Sequence, residues 1–219
     1  MKKQHISLRP GGTYHLFSQA NGSEKLFGEE ENYRFFLEKL HKYISPIADL
    51  YGYCLVPAQF QLLVKIKYST VIEDYFNFKK PESTYTPLVA PDFIMERFSN
   101  WLNCYAKSFN KTYHRLGSLF VHCIRRHEIT SGSQLKKCIF DIHNIPVIGR
   151  HCESMECWKW SSYHDFVSRD SISAGKIRIL NLFGGKAAFI RFHSNSSMKE
   201  LKLQTDSSQS TALIPNFDE

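Results

Sequence analysis

The sequence predicts an α+β fold, a ferredoxin-like antiparallel sheet with helices packed on one face. Three observations carry that expectation. The elements read in the order strand–helix–strand–strand–helix–strand–helix, which gathers paired strands and connecting helices around one sheet. Residues 51–66, YGYCLVPAQFQLLVKI, read as a strand, a short turn and a second strand. Two other segments repeat their apolar residues at helical spacing. Hydrophobic residues make up 42% of the chain and aromatics 14%, so most of the 219 residues can pay for their own ordering by burial and fall outside the disordered class.

The elements follow in order. Residues 13–18 (TYHLFS) form a short first strand. A Gly, Asn and Ser turn then leads into a helix whose Tyr33, Phe36, Leu37, Leu40 and Ile44 make one amphipathic stripe. A hairpin occupies 48–67. In its second strand the side chains alternate between faces, so Gln59 and Gln61 project side by side while Phe60, Leu62, Val64 and Ile66 point the other way. The polar stretch near 68–92, with three prolines, reads as an excursion with little core of its own. Residues 94–110 are the clearest helix, and Phe98, Trp101, Leu102, Tyr105 and Phe109 mark its core face. RLGSLFVHCIRRHEI (115–129) has a Gly turn and then a strand. SGSQLKKCIFDIHNIP opens with capping residues and meets Pro146, which predicts a helix over 133–144. CWKWSSYHDFV and KIRILNLFGGKAAFIRF are further ordered elements, the latter with a Gly-Gly turn. Residues 1–193 are expected to form one domain, and 194–219 a flexible Ser-rich tail.

Composition excludes several classes. No apolar run approaches the roughly 18 residues a membrane helix needs. The N-terminal MKKQHISLRPGG is basic but has no apolar segment after it, so it is not a secretory signal. The expected location is the cytoplasm, with no membrane partner. Six cysteines stand at irregular spacings without a C-x-x-C, as buried reduced thiols do. A zinc site drawn from Cys123, His127, Cys152 and Cys157 lacks the paired short spacings of structural zinc. The net charge is +7, which suits a polyanion partner. Between Tyr105 and Lys137 stand Lys107, Lys111, Arg115, Arg125, Arg126, Lys136 and Lys137 against one acid, Glu128. A charge run is ordinarily a solvated face. This one is interleaved with Tyr113, His114, Phe120, His122 and His127, as nucleic-acid surfaces are.

Six stretches then line up, in order, with one known family. TYHLFSQANGSEKLF resembles its opening strand, and YGYCLVPAQFQLLVKI its signature, a strand ending in Met-Pro-Asn followed by His-Phe-His and an apolar run. FSNWLNCYAKSFNKTYHRLGSLF resembles its long helix and Gly-Ser-Leu-Phe turn. DIHNIPV stands where the family has Tyr-Ile-His-x-Asn-Pro-Val. WKWSSY matches its Trp-x-x-Ser-Ser-Tyr element, and LNLFGGKAAFIRF its C-terminal segment. The chain thus resembles the single-tyrosine HUH transposases, in the branch of REP-associated tyrosine transposases, over about residues 13–193.

The resemblance implies a chemistry. Two histidines on one strand face hold Mg²⁺ or Mn²⁺, which polarises the scissile phosphate of single-stranded DNA. A tyrosine on the last helix attacks and becomes a 5′-phosphotyrosine, and an amide four residues later, one turn along the same face, completes the metal site. In this chain the histidine positions are Gln59 and Gln61. The tyrosine position is Asp141, or Phe140 if the helix slips by one residue, and the third-ligand position is Ile145. His143 and Pro146 are retained as scaffold. Amide oxygens can ligate Mg²⁺ but replace little of what two imidazoles supply. An aspartyl phosphodiester would be a mixed anhydride and hydrolyse, and Ile145 has no ligand atom. The expectation is therefore a DNA-binding protein without catalytic residues, metal or other cofactor. It would hold single-stranded or hairpin DNA through Arg125, Arg126, Lys136, Lys137, Trp160 and Tyr163, with Trp158 as a further stacking candidate. Two alternatives remain open: an active transposase or nicking endonuclease with replaced catalytic residues, Asp141 or another, and a homodimeric interaction module that keeps only the fold.

Overall fold

The computed structural model describes residues 6–121, 124–168 and 174–195. Four strands, β1 (Thr13–Gln19), β2 (Ala48–Val56), β3 (Gln59–Ile66) and β4 (Arg125–Glu128), form an antiparallel sheet in the order β2-β3-β1-β4. Helix α1 (Glu30–Ile44) connects β1 to β2. Helices α2 (Ser69–Lys79) and α3 (Ala90–Thr112) connect β3 to β4, and α4 (Gly132–Ile148) follows. Beyond it come a 3₁₀ turn at Met155–Cys157, α5 (Tyr163–Val167), α6 (Ala174–Phe183) and a last helix, α7, over 186–195. No helix among the described residues is long and apolar enough to cross a membrane.

The alternation of β3 decides where the helices lie. Phe60, Leu62, Val64 and Ile66 join Tyr14 and Leu16 of β1 beneath α1 and α3. There Phe36 and Trp101 meet at 4.6 Å between ring centroids, and the Trp101 indole N–H donates to the Phe36 carbonyl at 3.3 Å. Tyr105 is buried, with its hydroxyl bonded to the Leu26 carbonyl, which bears out the stripe read along α3. Leu63 faces away from this layer and belongs with Cys54, Val56, Ile139 and Ile142 to a second apolar cluster. Helix α4 therefore covers the opposite face over β2, a second layer beyond the one-sided packing expected. Close approach needs Gly52: a Cβ there would stand 3.2 Å from Ile139.

Two segments differ from expectation. The polar stretch 68–92 contains α2, because Ile72 and Phe76, one turn apart, are buried, Phe76 against Phe93 of α3. Helix α4 continues through Pro146 to Ile148. A proline so close to the end removes only its own N–H, and the turn closes beyond it, with Gly149 N–H donating to Ile145 O at 2.8 Å and His151 N–H to Pro146 O at 2.8 Å. Of the expected tail, 196–219 lies outside the described residues, as do His122 and Cys123.

Candidate functional site

The sheet face opposite α1 and α3 carries the odd-numbered side chains of β1, β3 and β4. The registers Phe17↔Gln61 and Phe17↔Arg125 place Gln61, Phe17 and Arg125 in one row across three strands. The adjacent row holds Leu63, His15 and His127, and Gln59 pairs with Gln19 at the strand ends. Aromatic rings join the rows. Phe17 stacks on His127 at 5.5 Å and 15°, and on His15 at 5.1 Å, while the Arg125 guanidinium lies 6.0 Å from the Phe17 centroid.

The two glutamines are tied into this face by hydrogen bonds. His15 Nε2 and Gln61 Oε1 are 2.5 Å apart. An amide oxygen only accepts, so Nε2 carries the proton and donates. The Gln61 amide nitrogen in turn donates to Gln59 Oε1 at 3.2 Å. Gln61 and His15 are both 6% exposed. Burial lowers the His15 pKa to about 4, against the Gln61 hydrogen bond, and the nearby His127 lowers it further. Burial thus keeps His15 neutral, with its one ring proton on Nε2.

The α4 positions are arranged differently. Asp141 is half-buried and pairs with Lys137, one turn back, at 2.7 Å. Burial raises its carboxyl pKa, and Lys137 acts in the other direction. Ile145 packs against the second apolar cluster and offers no donor atom. Among the described residues no group of three His, Cys, Asp or Glu is placed to hold a metal.

His143, from the DIHNIPV stretch, is fully buried with Ser162 of the WKWSSY stretch and His193 of α7. The proton positions follow from the end of the chain. His193 Nδ1 must donate to the Phe189 carbonyl (2.9 Å), so its Nε2 accepts from His143 Nδ1 (3.1 Å). His143 Nε2 then accepts from the Ser162 hydroxyl (2.9 Å), which itself accepts from the Tyr53 N–H (2.8 Å). Burial pushes the pKa of His143 well down and that of His193 to about 4. This chain fastens β2, α4 and α7 together. It is shut off from solvent, so its serine is not presented as a nucleophile.

Of the residues expected to contact DNA, Arg125 stands exposed beside the glutamine face, and Arg126 alternates to the other side of β4. Lys136 and Lys137 sit on the first turns of α4, the Lys136 ammonium 5.5 Å from the Phe183 centroid. Trp160 stacks on Tyr33 at 4.5 Å and 10°, with the Lys159 ammonium 4.9 Å from its ring. Trp158 is partly buried and donates its indole N–H to Leu55 O at 2.9 Å. Tyr163 is corrected by the structure: it is 1% exposed and its hydroxyl donates to Glu156 at 2.9 Å, so it supports the core and presents nothing to a surface ligand. His15 and Phe17 join this face without a local sequence signal that marks them. Period two in TYHLFS puts them on one face, but only the register with β3 and β4 shows that this is the glutamine face.

No protein-family model and no curated protein matches the sequence. Among solved structures the chain is similar to one titled "Structure of the REP associates tyrosine transposase bound to a REP hairpin". The TM-score is 0.55 at 13% identity, over 77% of this chain and 86% of that one. The shared property is the fold: an antiparallel sheet with helices, in the architecture of a REP-associated tyrosine transposase.

Proposed function

We infer that the protein binds DNA, in hairpin or single-stranded form, and does not cut it by the metal- and tyrosine-dependent route. The observation that carries this reading is the link His15–Gln61–Gln59. At the two positions where the resembling family places metal-binding histidines, both amide oxygens are engaged inside the sheet. A divalent ion there would have to displace two hydrogen bonds and would gain only neutral ligands. The nucleophile position holds an ion-paired carboxylate and the third-ligand position an isoleucine. DNA binding is supported by the net charge of +7, by Arg125 beside the stacked Phe17 and His127, and by a fold shared with a hairpin-bound transposase. Neither phosphate neutralisation nor stacking needs a metal.

The test is a titration of labelled hairpin and single-stranded DNA at rising salt, with Mg²⁺ or Mn²⁺ present. The reading expects binding with a steep salt slope, an intact strand and no covalent adduct. Affinity independent of salt would sink the binding claim, and a nicked strand that disappears in Asp141→Ala would sink the claim of silence.

A further inference from the structure

A cleft of about 490 Å³ opens between the start of α1 and the end of α3, lined by Glu24, Lys25, Phe109, Tyr113, His114 and Arg115 among others. That volume is at the scale of small-molecule sites. It lies at the same end of the molecule as the glutamine pair. Phe27 N–H donates to Pro57 O and Ala20 N–H to Ala58 O, which lays the 20–28 loop over the β2–β3 turn that leads into Gln59.

Its chemistry suits a base better than a run of phosphates. The cations Lys25 and Arg115 are matched by Glu24 and Glu29, and Arg115 Nε is paired with Glu24 at 2.7 Å. The two N–H groups just before α1 are already taken: Gly28 and Glu29 both donate to Asn32 Oδ1 at 3.0 Å. Asn32 Nδ2 also donates to the Tyr113 hydroxyl at 3.0 Å, and Phe109 lies 4.5 Å from the Tyr113 ring. Tyr113 is thereby held at its edge and on one side while staying 38% exposed.

The backbone adds an independent observation. Helix α3 ends with Tyr113 N–H bonded to Phe109 O and Arg115 N–H to Asn110 O, around His114 at φ +50°. That turn favours glycine at the left-handed position. The chain places a histidine there instead, and His114 lines the cleft; strained residues of this kind cluster at functional sites, although Arg150 shares the conformation just beyond α4.

We propose that this cleft seats one unstacked nucleobase of the bound DNA, with the base lying on Tyr113 and His114 closing the rim. The proposal rests on the DNA-binding reading above and names a contact surface outside the glutamine face. Its test is fluorescence anisotropy of a short fluorescein-labelled oligo(dA) with the full chain, with thermal unfolding of each variant measured in parallel. Tyr113→Ala is expected to weaken binding about fivefold or more, while Tyr113→Phe stays close to wild type. His114→Gly is expected to raise Tm, by relieving the left-handed backbone, and yet to weaken binding. A purely structural histidine would give the first effect without the second, so this variant decides the matter even if Tyr113→Ala folds poorly. Binding unchanged in His114→Gly, or in a folded Tyr113→Ala, overturns the base cleft and leaves DNA binding standing. No oligonucleotide binding by the wild type overturns both.

Discussion

Gln61 sits at the centre of the account, and its environment explains what two amides do on one strand face. It takes a hydrogen bond from buried His15 and gives one to Gln59. Gln61→Leu keeps the size and removes both partners. It is expected to destabilise the fold by about 1–2 kcal/mol, because buried polar groups lose their mates, measured by urea unfolding. Asp141 gives the contrasting case. It is half-buried and tied to the exposed Lys137 one turn back on α4, and such i,i+4 pairs are worth about 0.3–0.5 kcal/mol. Asp141→Ala is expected to leave stability and DNA affinity nearly unchanged. A large loss of either would give Asp141 a role the geometry does not suggest.

At the scale of elements, α7 is held to α4 and β2 by the Ser162–His143–His193 chain, which requires both imidazoles to be neutral. Burial depresses the pKa of His193 and of His15 to about 4 from the ordinary 6.5, and lowers that of His143 as well. Between about 6.5 and 4 the unfolded chain therefore holds more protons than the folded one. The stabilisation is complete above the upper limit and is lost as pH falls through that window. Thermal unfolding across it should show Tm falling with acid, and the fall should be shallower in His143→Phe. That variant should itself cost about 1–3 kcal/mol at neutral pH, from the stranded His193 Nε2 acceptor, since the Ser162 hydroxyl keeps the Tyr53 carbonyl at 3.2 Å. A Tm flat across the window would contradict the buried, neutral assignment.

The same elements show which features were legible in the sequence. Helix α3 and the hairpin could be read because their apolar residues follow one period without interruption. Helix α2 was hidden, since only Ile72 and Phe76 of its face are buried and three prolines follow it closely. The length of α4 was misjudged at Pro146, where a proline near a helix end costs little. At the candidate site, the amide pair could be found from alternation and Asp141 and Ile145 from motif position. Tyr163 could not be placed, because a tyrosine within a surface-like motif reads the same whether its ring points in or out. His15 and Phe17 were missed because register is a property of strand pairing, which no local pattern states.

For the whole molecule, the proposed DNA binding makes association electrostatically driven, given the net charge of +7 and the exposed Arg125. Arg125→Ala should weaken binding to all DNA sequences alike and reduce the slope of log K against log salt by about one. The second helical layer is stability rather than chemistry at this scale: α4 and α7 enclose the buried histidines and leave the glutamine face and the α1–α3 cleft at one end of the sheet.

DNA binding without strand cleavage can be read from one binding reaction of an end-labelled hairpin with Mg²⁺, divided between a native and a denaturing gel. A shifted band is expected in the native gel and, in the denaturing gel, a strand of unchanged length with no protein attached. A shortened strand or a protein-linked strand would contradict it, and so would the absence of any shift.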